Sequence, residues 1–156
     1  MKILLAVDES PCSDAAVHSL ATYVRPAFTE VLVVHAVEWP DDLPPYLTFS
    51  EGTVAVGDVM ARHDALNAHA RALVERVAET LRTMGFKAST SVVTGHAEGA
   101  ILQAAREWKP DLIVLGSHGR RGIDRLLLGS VAEGVMRHAT CSVEVVRQAP
   151  VRKSAA

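Results

Sequence analysis

Cysteine and an excess of either charge are both scarce in this chain, and each scarcity excludes a class of protein. Two cysteines among 156 residues, Cys12 and Cys141, cannot build a disulfide framework, which fits a reduced, cytoplasmic setting. Lys and Arg number 16 against 18 Asp and Glu, a formal net charge of −2, so the basic surplus of a general nucleic-acid or membrane-surface binder is missing. No run of about 18 apolar residues occurs, which argues against a transmembrane helix. The opening MKILLAVDES reaches Asp8 too early for a signal peptide and lacks a small-residue cleavage site. Neither H-x-x-x-H nor C-x-x-C is present, and His63 and His69 would sit about 240° apart around a helix, so zinc is not expected. What the chain does have is apolar content, 49% against 22% charged, which is enough to bury a core. One domain is expected over residues 1–148, with a loose tail over 149–156.

Apolar runs at Ile3–Val7, Val31–Val34 and Leu112–Leu115 are continuous, as in strands buried on both faces of a parallel sheet. Lys87–Val93 and Val143–Val146 are interrupted by polar residues, the latter by Glu144, and read as edge strands. Helices fit between them. Ser10-Pro11 is an N-cap followed by proline at the first helical position, with Ala16, Leu20, Ala21 and Val24 on the inner face. Asp58–Met84 carries a stripe through Val59, Leu66, Ala70, Leu73, Val77 and Leu81 and ends at Gly85 as a C-cap. Ala97–Trp108 and a helix from Ser130 complete the set. The segment from Glu38 to Val56 holds Trp39, Tyr46 and Phe49, either pinning the loop to the body or forming a contact surface. The alternating order predicts an α/β fold, a five-stranded parallel sheet of order 3-2-1-4-5 with helices on both faces. Its switch point lies between strands one and four, where ligands bind beyond the strands' carboxyl ends. That places the site at Asp8-Glu9-Ser10 and at the loop from Gly116.

This second loop, GSHGRRGIDRLLLGSVAE, holds Gly116, Gly119, Gly122 and Gly129. Glycine lets backbone approach a phosphate closely, although a tight crossover loop is an alternative reason for it. Gly129-Ser130 opens a helix, whose free N–H groups attract anions. Backbone donors at Ser130 and Val131, the Ser130 hydroxyl and the nearby Arg120, Arg121 and Arg125 would suit phosphate. Ser130 with Glu133 also fits a capping box, a role compatible with a phosphate site. The G-x-x-x-x-G-K-[ST] pattern of a P-loop is not present.

From Lys2 to Arg147 the chain resembles the universal stress protein family. The spacing Gly116-x-x-Gly119, nine residues, then Gly129-Ser130 matches the signature of that family's ATP-binding branch, and ILLAVDES and RHATCSVEVVR resemble its opening and close. The resemblance implies a Rossmann-like fold of the adenine nucleotide alpha hydrolase type, with ATP at the switch point and a homodimer. Asp8 matches the aspartate beside the nucleotide, and Ala36 the backbone contact to adenine. Gly116, His118 and Gly119 match the loop along ribose and phosphates, with Arg120 counted beside them and Arg121 adding positive charge where relatives often carry small residues, and Gly129, Ser130 and Val131 match the phosphate cradle. Magnesium would be held through the phosphates, and Asp8 would hold a ribose hydroxyl or a magnesium-bound water unless it only caps the first helix. Glu144 in the last strand, if buried without a partner, would be costly in a dimer contact made there.

The leading expectation is an ATP-binding, non-catalytic regulator of the stress response, whose nucleotide state is read by a protein partner. A slow ATPase, with Asp8, Glu9 or His118 positioning water, is one alternative. A nucleotide-free homodimeric interaction module is the other. A phospho-receiver reading of Asp8-Glu9 fails, because Thr94-Gly95-His96 and Arg147-Gln148 stand where an aspartate and a lysine are needed. His35 reads as a satisfied core histidine, and Arg71, Glu75, Arg76 and Glu79 as a solvated helix face.

Overall fold

Ile3, Leu4, Leu5 and Ala6 run without a polar break because the strand they form is covered on both faces. The computed structural model describes residues 1–38, 53–119 and 128–148. The readings at Trp39, Tyr46 and Phe49, at Arg120, Arg121, Gly122 and Arg125, and in the tail lie outside the described residues. In chain order the elements are β1 (Lys2–Ala6), α1 (Pro11–Tyr23), β2 (Glu30–Val37), α2 (Thr53–Thr83), β3 (Lys87–Thr94), α3 (Ala97–Trp108), β4 (Leu112–Gly116), α4 (Ser130–His138) and β5 (Ser142–Val146). All strand pairs are parallel and the order is β3-β2-β1-β4-β5, as the patterning predicts.

Alternation along the central strand divides the core in two. Ile3 and Leu5 face Ala16 and Leu20 of α1 and Leu73 and Leu81 of α2. Leu4 and Ala6 face Ile101 and Ala105 of α3 and Ala132 and Val135 of α4. Each fully buried leucine or isoleucine here contributes about 1.5–3 kcal/mol. The stripe of α2 is displaced from the expected one: Val74 and Ala78 are buried, whereas Leu66 is 40% exposed. Leu66 precedes the stretch of α2 from Ala70 to Leu81 that packs on the sheet.

Local signals set the element ends. Ser10 caps α1 by accepting the Ser13 N–H at 3.1 Å, and Pro11 follows it. Gly85 takes φ +91, with the Phe86 N–H on the Leu81 carbonyl and the Gly85 N–H on the Arg82 carbonyl, which makes a Schellman end. Strand β2 continues past Val34 to Val37, because β3 still pairs with it there although β1 has ended. Glu144 departs from expectation. It is half-buried rather than buried and unpaired, and the Ser19 hydroxyl of α1 donates to it at 2.9 Å. Among the described residues no helix is long and apolar enough to cross a membrane.

Candidate functional site

Neighbouring strands β1 and β4 send their chains to opposite faces, and the parting opens a cleft of about 530 Å³ at their carboxyl ends. Asp8 and Ala36 line it from one side, Gly116, His118 and Gly119 from the floor, and Gly129, Ser130 and Val131 from α4. The structure thus brings these eight expected residues to one cleft, while Arg120, Arg121 and Arg125 lie outside the described residues.

Ser10 ties the two loops. Its hydroxyl lies 2.6 Å from Asp8 Oδ1 and 3.0 Å from the His118 carbonyl, and its N–H also donates to Asp8 Oδ1 at 3.0 Å. The Asp8 N–H in turn donates to the Ser13 hydroxyl, so Asp8 is held from the first turn of α1. Glu9 is not among the residues lining the cleft; its Oε1 lies 2.8 Å from His69 Nε2 on α2.

The three described glycines of the loop have different reasons to be glycine. A Cβ at Gly116 would stand 2.7 Å from the Cys12 carbonyl carbon and 2.9 Å from the Ser13 nitrogen, so its bareness lets α1 sit on β4. At Gly119 a Cβ would come within 2.9 Å of Asp8 Oδ2. At Gly129 it would come within 2.9 Å of the Ser117 carbonyl, which the Gly129 N–H meets at 2.8 Å.

That last bond overturns the capping box. Gly129, extended at φ −66° and ψ 149°, is itself the N-cap, and no side chain among the described residues caps the helix. Ser130 then becomes the first helical residue and Glu133 the fourth, one place too late to reach back, and Glu133 pairs with Arg137 at 2.8 Å. The first helical bond runs from the Glu133 N–H to the Gly129 carbonyl, so the N–H groups of Ser130, Val131 and Ala132 precede the ladder.

On β2, the Val7 N–H meets the Val34 carbonyl at 2.9 Å, so the peptide groups of Val34 face β1. Two residues on, those of Ala36 face the same side, where β1 has already turned away. His35 Nδ1 lies 2.7 Å from the Val7 carbonyl and, because a carbonyl only accepts, carries the proton there. His118 is half-buried; its Nδ1 lies 3.0 Å from the Ser117 hydroxyl. Its Nε2 is buried and has no hydrogen-bond partner among the described residues. Sequence reading missed Ser10 and Ser117 as ties, and Glu38 and His96 as part of the lining. The last two follow the carboxyl ends of β2 and β3, the positions the switch-point rule favours.

The universal stress protein family matches residues 1–147. The chain belongs to this family. Universal stress protein MJ0531 of Methanocaldococcus jannaschii is 31% identical over 148 residues, 94% of this chain and 82% of that protein. Hypothetical protein MJ0577 of the same organism shares the fold at a TM-score of 0.79 and 24% identity, over 96% of each chain. The universal stress protein of Archaeoglobus fulgidus, solved in complex with dAMP, gives 0.65 at 20% identity, over 94% of this chain and 97% of that one. The five-stranded sheet of order 3-2-1-4-5 is the universal stress protein fold.

Proposed function

We propose that this universal stress protein binds ATP in the cleft and acts as a nucleotide-dependent regulator rather than as an enzyme. The observation that carries the reading is the start of α4: a helix N-terminus with no side-chain cap among the described residues opens into the same cleft as Asp8 and the peptide edge of Ala36 that β1 leaves behind. Ala36 would offer adenine a donor and an acceptor, and Asp8 a ribose hydroxyl. Gly119, Gly129, Ser130 and Val131 would hold phosphate, with Arg120 beside them. The lining fits the ligand in one respect: His118 Nε2 is a buried polar atom with no hydrogen-bond partner among the described residues. The cleft volume of about 530 Å³ suits a small-molecule ligand. Mg²⁺ would be held through the phosphates. The Archaeoglobus fulgidus relative was solved in complex with dAMP, which supports an adenine nucleotide as the class of ligand. A homodimer and a protein partner that reads the bound state belong to the same reading.

Thermal unfolding with and without Mg-ATP, after any bound nucleotide is stripped, tests it. Ligand at about 100 times its dissociation constant adds about 2.7 kcal/mol, a rise of several degrees for a chain of this size. The rise should vanish in Gly119→Val, where the new side chain collides with the Asp8 carboxylate, while the unliganded fold persists. An equal rise in that variant, or none in the wild type, would end the proposal. Multiple-turnover phosphate release would replace the regulator with the slow ATPase.

A further inference from the structure

Among the described glycines, the one whose absent Cβ has the closest neighbour is Gly134, where the first turn of α3 meets the middle of α4. The carboxyl group of Glu98 fills the space that a side chain at Gly134 would need, so any Cβ at 134 collides with it. Glu98 Oε1 lies 3.0 Å from His138 Nδ1, and that nitrogen lies 3.1 Å from the Gly134 carbonyl of its own helix. The carbonyl can only accept, so Nδ1 carries the proton and is shared between the two acceptors. The Glu98 side chain is only 29% exposed.

This clamp has a consequence at the cleft. Ala97, next to Glu98, lines the cleft, as do Ser130 and Val131 at the other end of α4. Helix α4 is nine residues long, and its apolar side, Ala132 and Val135 with Val131 beside them, packs into the core that α3 shares. We propose that Glu98 is a positioning residue. Lodged against Gly134 and held by His138, its carboxylate seats α4 on α3 and so aims the N–H groups of Ser130 and Val131 at the phosphates of a bound nucleotide. The inference rests on the nucleotide reading of the cleft. Glu98 itself does not touch the ligand.

The readout that separates positioning from mere stability is the ratio of ATP to adenosine affinity, because adenosine has no phosphate for α4 to hold. Calorimetric titrations of both ligands are compared in the wild type, Gly134→Ala, Glu98→Ala, Glu98→Gln and the Gly134→Ala/Glu98→Ala pair. Gly134→Ala should weaken ATP about tenfold, equivalent to about 1.4 kcal/mol, and leave adenosine unchanged. Alanine is the better helix former, so helix propensity cannot account for that loss. In the Glu98→Ala background, where no carboxylate remains to be expelled, Gly134→Ala should have no further effect. Glu98→Gln, which keeps the volume and an acceptor for His138, should bind ATP within about twofold of wild type, well inside the uncertainty of one such contact. Equal losses for ATP and adenosine, no loss in Gly134→Ala, or a Gly134→Ala penalty that persists beside Glu98→Ala would each overturn the proposal. If the wild type binds neither ligand, the reading of the cleft itself falls and the clamp's role falls with it.

Discussion

Gly116→Ala and Gly99→Ala are the same chemical change, and the structure gives them opposite signs. At Gly116 the new methyl would stand 2.7 Å from the Cys12 carbonyl carbon, 2.9 Å from the Cys12 Cβ and 2.9 Å from the Ser13 nitrogen. Two of those three atoms are backbone, so relief requires α1 to move off β4 instead of one side chain turning. Overpacking of this kind costs about 1–3 kcal/mol. Against it stands about 0.4–1 kcal/mol gained from the stiffer unfolded chain, since the glycine needs no positive φ. The net expectation is a loss of about 1–2 kcal/mol, and a melting temperature lower by about 2–8 °C. Gly99 lies in the first turn of α3, with nothing within 4 Å of its absent Cβ. Alanine there should gain about 0.5–1 kcal/mol. Reversible denaturant titration of both variants beside the wild type measures the two shifts in one experiment. A Gly116→Ala protein as stable as the wild type would refute the tight α1–β4 contact, and would return Gly116 to a purely ligand-facing role.

Ser130→Ala should leave stability within about 0.5 kcal/mol, because Gly129 and not Ser130 is the cap, yet weaken ATP binding; a marked fall in stability would restore the capping box. Ser10→Ala removes a true N-cap and should cost about 1 kcal/mol, read as a lower denaturant midpoint; an unchanged midpoint would show the cap bond contributes nothing. Burial, with a smaller contribution from the Asp111 charge, pushes the Cys141 thiol above its ordinary pKa, opposed by a backbone hydrogen bond. Alkylation of Cys141 at pH 8 should therefore be slower than that of an unstructured cysteine. The folded state holds the neutral thiol, so this contribution to stability is complete below the ordinary thiol pKa and declines as pH rises through the raised one. Stability measured between pH 7 and 10 in wild type and Cys141→Ala should diverge in that direction.

Much of the architecture was legible because its causes are local. Continuous apolar runs mark strands covered on both faces, and polar breaks at Ser89, Ser91 and Glu144 mark the sheet's edges, which is enough to select the order 3-2-1-4-5. Ser10-Pro11 and Gly85 set helix ends through bonds that reach no more than five residues. The glycine spacing from Gly116 to Ser130 located the cleft, because a sheet of this order has one switch point and the spacing falls beside it.

What the tertiary structure alone decided depends on contacts between residues far apart in the chain. Ser130 and Glu133 satisfy the pattern of a capping box, yet the Ser117 carbonyl, twelve residues before Gly129, takes the Gly129 N–H and moves the start of α4. Gly116 looks like its neighbours in sequence and owes its identity to Cys12, on another helix. Likewise, nothing near Glu98 in sequence forecasts that its carboxylate fills the space beside Gly134. A composition rule reads which residues a segment needs; only the packed chain determines which distant atom stands where a missing methyl would go.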